Sequence, residues 1–168
     1  PVVLDEVPER VVSLSAAPVL AMYELGVNLV GIPNSMVVTW PEDLQENTEN
    51  VSFSVMSPDD FDYESVVDLE PDLVLLAYNG ADTAGKTLES LGIPVYYIYA
   101  GHTVPYESIV GQTNALIDAF SADEESAAAG EKIRERFDAL DQNMEAAKEA
   151  FAGKSVMVLQ SSGDAHYI

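Results

Sequence analysis

The sequence predicts an α/β fold, in which a doubly wound parallel sheet is followed by a long helix and by the first strand of a second, truncated lobe. Three observations support this fold class. Short uncharged runs rich in β-branched residues alternate with amphipathic segments, and glycine or proline separates them. One charged segment near the end is much longer than a helix that only covers a small domain.

The first strand and helix lie near the start of the chain. The run Val11 to Ser15 is typical of a strand buried in a parallel sheet. Pro18 suits the first turn of a helix, which continues to Gly26 and leads into a second strand over Asn28 to Pro33. This order predicts a first βα unit.

A second copy of the pattern follows. Asp72 to Tyr78 is the clearest strand, and a helix over Thr83 to Leu91 ends at Gly92 before a strand begins at Ile93. The segments LGVNLVGI and LGIPVYYI share the same order of Leu-Gly and apolar strand, which is typical of a Rossmann-like sheet.

Between and after these units the pattern is less regular. Residues 34–53 lack clear periodicity and predict a loop with a short strand or turn. A short helix begins at one of three aspartates and ends before Pro71, and a further helix follows Pro105. The possible capping aspartates are Asp59, Asp60 and Asp62.

The long charged run from Ser121 to Gly153 predicts a single helix about 45 Å long. Ser121 and Glu124 have the spacing of a capping box, and Gly153 suits the left-handed turn that ends a helix. Ser155 to Gln160 predicts the next strand. An apolar stripe follows helical spacing along the run, and it consists of Ile133, Phe137, Leu140, Met144, Ala147 and Phe151. These elements divide the chain into a lobe over 1–120, a helix between lobes over 121–153, and the start of a truncated lobe over 154–168.

Composition excludes several classes of protein. The net charge of −22 would repel nucleic acid, so we expect no nucleic-acid partner. The acidic surface serves either solubility or docking to a basic partner. The absence of cysteine excludes disulfides and thiolate sites, and the sequence has neither a long apolar run nor a basic leader.

Motifs for catalysis are missing, and we expect neither an enzyme nor an intrinsic cofactor. The sequence has no nucleophile elbow, dinucleotide fingerprint, phosphate loop or zinc-protease motif, and Ser13 and Ser15 have no histidine nearby in sequence. In parallel sheets, ligands bind beyond the carboxyl ends of the strands. The loops predicted there carry aromatic, amide and hydroxyl groups at Ser15, Trp40, Tyr78, Asn79, Tyr99 and His102.

Three segments carry a family resemblance: PERVVSLSAAPVLAMYELGVNLVGI, SPDDFDYESVVDLEPDLVLL and LGIPVYYI, followed by the long helix. In this order they resemble the periplasmic-binding-protein-like proteins with a single connecting helix. These are the substrate-binding components of ABC importers for iron siderophores, haem and cobalamin. The resemblance implies two α/β lobes with ligand held between them, of which this chain would supply the amino-terminal lobe.

The resemblance also implies roles for individual residues. Glu64 matches an acidic residue that docks on permease arginines in relatives. Met56 matches an axial haem ligand of some relatives, and it is the one metal ligand that the resemblance implies in this chain. His166 and Tyr167 would approach the cleft from the second lobe. The resemblance therefore implies capture of an iron complex, haem or a ferric siderophore, and its delivery to a permease.

Several alternatives stay open. For a siderophore or cobalamin, Trp40, Tyr78 and Tyr99 would form aromatic walls, with Asn79 and His102 as polar partners. The loops contain no arginine, which disfavours a strongly anionic ligand. The other classes are an enzyme or chelatase on the same architecture, and an acidic docking module.

Localisation and assembly follow from the same resemblance. We expect an extracytoplasmic protein, either periplasmic or anchored as a lipoprotein by a leader absent from this sequence. We also expect a homodimer, because a truncated second lobe would leave part of the helix stripe uncovered.

Overall fold

The computed structural model describes residues 6–35, 38–54, 57–100, 104–155, 160–162 and 165–167. The chain forms two compact units, Pro1–Arg134 and Glu135–Ile168, and the division falls inside its longest helix. The predicted domain bounds differ from these units because the prediction followed secondary-structure elements, and they stay a prediction.

The first unit is built on a five-stranded parallel sheet in the order β3-β2-β1-β4-β5. The predicted α/β class with a doubly wound parallel sheet is therefore confirmed. The strands are β1 (Val11–Ser13), β2 (Leu29–Ile32), β3 (Glu49–Asn50), β4 (Leu73–Ala77) and β5 (Val95–Ile98).

Six α-helices are present in the part of the chain that the structure describes. They are α1 (Val19–Glu24), α2 (Glu42–Glu46), α3 (Tyr63–Val67), α4 (Lys86–Ser90), α5 (Tyr106–Phe120) and α6 (Glu124–Phe151). Helix α2 lies in residues 34–53, where the sequence predicted only a loop with a short strand or turn. Pro41 precedes it, and Glu42 and Asp43 occupy its acidic first turn. At five residues it is too short to show helical periodicity.

Strand β4 lies at the centre of the core. Its residues Leu73–Leu76 are all buried, as are Val11 and Val12 in the neighbouring β1. Val74 and Leu76 belong to a cluster with Val66 of α3 and Leu88 of α4, while alternation along the strand directs Leu73 and Leu75 to the other face. Both faces of the sheet are therefore covered.

The amino-terminal edge of the sheet is closed by polar contacts. The Asp72 carboxylate accepts hydrogen bonds from the backbone N–H groups of Glu9 (2.7 Å) and Arg10 (3.0 Å). The Arg10 guanidinium donates to the carbonyl oxygens of Leu69 (2.7 Å from Nη2) and Glu70 (3.3 Å from Nε). Glu70 has a φ of 46°, and these bonds hold the left-handed turn that leads from α3 into β4.

Helix α6 begins later than the sequence predicted. Ser121 lies outside the helix, and its hydroxyl is a buried polar atom for which the described residues offer no hydrogen-bond partner. Asp123 caps the helix instead: its Oδ1 accepts from the Ser126 N–H (2.8 Å), while the Ser126 Oγ accepts from the Asp123 N–H (3.1 Å). The predicted pair of Ser121 and Glu124 was therefore wrong, because aspartate and serine form the same reciprocal box two residues further on.

The far end of α6 is as predicted. Gly153 has a φ of 73° and follows the last turn, whose Phe151 carbonyl accepts from the Lys154 N–H at 2.9 Å. Of the predicted apolar stripe, Ile133 is buried in the first unit, whereas Leu140 and Phe151 in the second unit are exposed.

The first turns of α6 are fixed on α5. The Arg134 guanidinium lies 2.5 Å from an Asp118 carboxylate oxygen and 2.6 Å from one of Glu131. A side chain at Gly130 would collide with Ile117, so this glycine permits the close approach of the two helices.

The second unit contains the rest of α6 and an antiparallel pair of strands, β6 (Gln160–Ser162) and β7 (Ala165–Tyr167). Most of the strand predicted over Ser155 to Gln160 lies outside the described residues. None of the described helices combines the length and the apolar character that crossing a membrane requires.

The capping assignment predicts different effects for two substitutions. Asp123→Ala should lower the melting temperature by a few degrees, because it removes the acceptor for the Ser126 N–H. Ser121→Ala should leave the melting temperature unchanged or raise it, because a desolvated hydroxyl is removed. Thermal unfolding followed by circular dichroism measures both, and a larger loss in Ser121→Ala would contradict the assignment.

The same cap predicts a pH dependence. Two hydrogen bonds lower the pKa of Asp123: the larger effect comes from the Ser126 backbone N–H and the smaller from the Ser126 hydroxyl. A carboxylate with a lowered pKa stabilises the fold above the pKa of the unfolded state, about 4. The difference between wild type and Asp123→Ala should therefore shrink as the pH falls from about 4 through the folded-state pKa.

Candidate ligand-binding site at the carboxyl edge of the sheet

The topological switch point of the sheet, where the strand order reverses, lies between β1 and β4. From β1 the chain runs to β2 and β3 on one side, and then returns to β4 and β5 on the other. The connections leaving β1 and β4 therefore diverge, and this is where ligands bind in doubly wound sheets.

Two exposed tyrosines lie at this edge. Tyr78 directly follows β4 and Tyr99 directly follows β5, and each of the two residues is 56% exposed. Their rings are stacked, with centroids 5.2 Å apart and an angle of 27° between the planes. Stacked rings this exposed offer a flat apolar surface to a ligand.

A third ring supports the pair. Tyr97 in β5 meets Tyr78 edge to face, with centroids 6.3 Å apart. Its hydroxyl donates to Glu89 Oε1 in α4 at 2.9 Å. Burial of the Tyr97 ring, assisted by the Glu89 carboxylate, raises the pKa of Tyr97 to about 12, so its phenol stays protonated as a donor at neutral pH.

The segment after β4 has the local shape that this arrangement needs. A 3₁₀ turn over Tyr78–Gly80 leads into a π-helical turn over Ala81–Gly85 and then into α4. A Cβ at Gly85 would lie 2.5 Å from the Tyr97 hydroxyl oxygen, and one at Gly80 would lie 2.7 Å from the Phe53 ring. The two glycines therefore let aromatic rings pack directly against the turns.

A cavity of about 350 Å³ opens beside the stacked pair. It is lined by Tyr78, Asn79, Tyr99, Ala100, Val104, Pro105 and Ser108. A second cavity of about 200 Å³ shares Tyr99, Ala100 and Val104 with the first and extends between α5 and the residues Ala17 and Pro18, which precede α1. Its lining is mostly apolar, including Ile98 and Leu116.

The structure thus brings together three of the predicted site residues, Tyr78, Asn79 and Tyr99. Trp40 lies elsewhere: it is only 7% exposed, and its indole N–H donates to the Pro33 carbonyl at 2.9 Å. It lines a separate small depression, of about 110 Å³, with Asn34 and other residues that follow β2. The binding role predicted for each of these residues stays a prediction.

Ser15 is also buried, and its carbonyl accepts the hydrogen bond of the Ser13 hydroxyl at 2.7 Å. Ser13 is therefore already engaged within the core. Met56 and His102 lie outside the described residues, and His166 and Tyr167 belong to β7 of the second unit.

Glu64 occupies the first turn of α3, where it is exposed. Asp62 caps this helix by accepting from the Ser65 N–H at 3.2 Å, so one of the three predicted capping aspartates is confirmed. Among the described residues, no group of three or more histidine, aspartate or glutamate side chains is arranged to hold a metal ion.

Two site residues were missed at the level of sequence. Tyr97 was counted only as part of a strand, although the alternation in VYYI places it two residues from Tyr99 on the same face. Gln112 of α5 hydrogen bonds to the backbone of Tyr99, and no motif in the sequence indicates this contact.

Comparison with known proteins identifies the class. A family model described as periplasmic binding protein matches residues 11–168. The chain belongs to this family, and the resemblance noted in the sequence is confirmed at that level.

Particular relatives agree with this assignment. A cobalamin-binding protein of Halobacterium salinarum (strain R1) is 30% identical over 115 residues, which are 68% of this chain and 30% of the relative. The chain thus spans less than a third of that relative's length.

Solved structures show the same fold. The iron uptake ABC transporter substrate-binding protein PiuA of Streptococcus pneumoniae has a TM-score of 0.68 and 24% identity, over 93% of this chain and 52% of that one. The periplasmic heme binding protein HutB of Vibrio cholerae has a TM-score of 0.65 and 22% identity, over 94% and 57%. The chain therefore covers about half the length of these structures.

The environment of Tyr97 predicts a component of alkaline unfolding. The pKa of Tyr97 is about 12 in the folded state and about 10 in an unfolded chain. Its protonated form therefore stabilises the fold below pH 10, and this contribution is lost as the pH rises from 10 to 12. Stability measured by urea unfolding should fall more steeply over this range in wild type than in Tyr97→Phe.

A second variant separates the causes of that pKa. Glu89→Gln removes the carboxylate but keeps an acceptor for the phenol. Because burial is the larger cause, Glu89→Gln should reduce the excess slope and Tyr97→Phe should abolish it. Equal slopes in wild type and Tyr97→Phe would contradict the assignment.

Proposed function

We propose that this chain is part of the solute-binding component of an ABC importer, and that the complete protein captures a metal chelate and delivers it to a permease. Two findings support the proposal: membership of the periplasmic binding protein family, and a fold shared with transport proteins for iron and heme. The protein would act outside the cytoplasm, either in a periplasm or as a lipoprotein.

The observation that carries the proposal is the stacked pair Tyr78 and Tyr99. Two large aromatic residues that are more than half exposed do not contribute to the core of the first unit. They lie beside a cavity at the edge of the sheet where ligands bind in this fold class, so we interpret them as a binding surface. Flat aromatic surfaces suit bulky or conjugated chelates, and Asn79 adds a polar group at the rim.

The proposed cargo is an iron complex, haem or a ferric siderophore. Met56 would favour haem, because a thioether is a suitable axial ligand for haem iron. Charge favours a neutral or cationic siderophore, because the chain has a net charge of −22 and its loops at the carboxyl edge contain no lysine or arginine. Lys86, the basic residue nearest to Tyr78 in sequence, pairs with Asp82 at 2.6 Å.

Cobalamin is the second candidate. The curated relative from Halobacterium salinarum is named as a cobalamin-binding protein, and its similarity extends over 68% of this chain. A bulky corrin with amide side chains at its periphery would also suit exposed tyrosines and asparagine.

Capture needs no catalysis, and the site favours binding over an enzyme or chelatase. Ser13 is buried and donates its hydroxyl proton to a backbone carbonyl, so it is not poised as a nucleophile. Glu64 is proposed as the docking residue for the permease, because it is exposed on a short capped helix.

We expect the full-length protein to bind one member of a panel of haem, a cationic ferric hydroxamate and cyanocobalamin. Tyr78→Ala and Tyr99→Ala should each weaken binding about 3- to 10-fold, because each removes a stacking surface. Leu91→Ala is the control, since Leu91 is 53% exposed but precedes β5 at the opposite edge of the sheet. Titrations followed by tyrosine and tryptophan fluorescence measure the affinities.

The panel also separates the candidate cargoes. A shifted Soret band that weakens in Met56→Ala would establish haem as the cargo, and binding of cyanocobalamin alone would establish the second candidate. If none of the three chelates bound to wild type, the proposed function would be wrong.

Docking through Glu64 has its own test. Glu64→Ala should reduce permease-dependent uptake of the bound chelate while leaving its dissociation constant unchanged, because the residue is outside the cavity lining. Glu70→Ala provides a comparison, as an exposed glutamate at the other edge of the sheet. Equal uptake by wild type and Glu64→Ala would exclude the docking role.

A further inference from the structure

We propose that Gln112 is a positioning residue that fixes Tyr99 against Tyr78, so that the ligand-facing surface is formed before any ligand arrives. This inference rests on the proposed function for its consequence in binding. Its structural part concerns the ligand-free protein and stands on contacts within the first unit.

The contact is a pair of hydrogen bonds to one residue. The Gln112 Oε1 accepts from the Tyr99 backbone N–H at 3.0 Å, and the Gln112 Nε2 donates to the Tyr99 carbonyl oxygen at 2.9 Å. A side-chain amide has one donor group and one acceptor group in a plane, as a neighbouring strand would present them. Gln112 therefore satisfies both backbone groups of Tyr99 at once.

The position of Tyr99 explains why it needs such a partner. Strand β5 is the last strand of the sheet and ends at Ile98, so Tyr99 is the first residue beyond the pairing of the sheet. With its backbone unpaired, an exposed residue at the end of an edge strand would sample many conformations. Gln112 therefore takes the place of a neighbouring strand and fixes the backbone of one further residue after β5.

The anchor itself is well held. Gln112 lies in α5, which is fixed in the core by the buried side chains of Leu116, Ile117 and Phe120. The Gln112 side chain is half-buried and lines the largely apolar cavity behind Tyr99. Two simultaneous bonds from one anchored side chain restrict the Tyr99 backbone more than a single bond would.

The three tyrosines then form an ordered row. Glu89 holds Tyr97, Tyr97 meets the ring of Tyr78 from its edge, and Tyr99 covers the face of Tyr78. With the Tyr99 backbone fixed by Gln112 and its ring stacked on Tyr78, less conformational freedom remains to be lost when a chelate binds. Gln112 thus determines affinity without contacting the cavity of about 350 Å³.

The experiment uses full-length protein with labelled tyrosine. Gln112→Met removes both hydrogen bonds while keeping a side chain of similar length. We expect the nuclear Overhauser contacts between the Tyr78 and Tyr99 rings to be lost, and the affinity for whichever panel chelate binds wild type to fall about 5- to 10-fold. The melting temperature should change by only a few degrees, and the control Glu107→Gln, an exposed change on the same helix, should leave all three quantities unchanged.

Gln112→Glu provides a rescue. At neutral pH its carboxylate still accepts from the Tyr99 N–H but faces the Tyr99 carbonyl without a proton to donate. Lowering the pH through the pKa of the introduced carboxyl, about 4 for glutamate, restores a donor. The ring contacts should return at low pH in Gln112→Glu and stay absent in Gln112→Met.

The outcomes distinguish this inference from the proposed function. Ring contacts that persist in both Gln112 variants at neutral pH would overturn the positioning role, even if a chelate binds to wild type. Loss of the ring contacts in Gln112→Met, in a protein whose wild type binds none of the three chelates, would support the positioning role while refuting the proposed function. Loss of the ring contacts with full retention of affinity would overturn the claim that Gln112 determines affinity.

Discussion

The structure depends above all on the burial of β4 in the middle of a parallel sheet. Its neighbours β1 and β5 pair with it on both sides, and Leu73–Leu76 fill the core on both faces. A strand in this position must be apolar throughout, and its backbone groups must be satisfied by neighbouring strands. Hydrogen bonds of Arg10 and Asp72 fix the backbone conformation of the turn that precedes β4.

The candidate site is a direct consequence of this constraint. Because all strands of the first unit run in the same direction, the residues that follow β1, β4 and β5 meet at one edge. The sheet places Tyr78 and Tyr99 on adjacent strand ends, and the strand spacing of about 5 Å brings their rings to stacking distance. The π-helical turn and its glycine then leave room for Tyr97 beneath them.

Different parts of the first unit use charge in different ways. At the start of α6, Asp123 and Ser126 satisfy backbone groups, and Arg134 joins α6 to α5. At the carboxyl edge of the sheet the loops contain no lysine or arginine, so the net charge of −22 predicts a negative field there. Such a field attracts cations and repels anions, which is why it bears on the identity of the proposed cargo.

The sequence by itself determined the fold class and the approximate position of most elements. Apolar β-branched runs such as Asp72 to Tyr78 have a strong periodic signal, and glycines such as Gly153 mark helix ends with a known backbone requirement. The sequence also indicated Tyr78, Asn79 and Tyr99, because the ends of parallel strands are known to converge. Short elements without a periodic signal, such as α2, could not be recognised in this way.

Only the tertiary structure decided how these residues are used. It placed Trp40 in the core although its loop suggested a rim, because the Pro33 carbonyl offers its indole a partner. It selected Asp123 over Ser121 as the helix cap, since both have a hydrogen-bonding side chain but only one reaches the helix N–H groups. The bonds from Gln112 to Tyr99, 13 residues apart in sequence, depend on the packing of a helix against a strand end. Local sequence patterns cannot predict such contacts, because the contacts form only when the sheet and its helices have assembled.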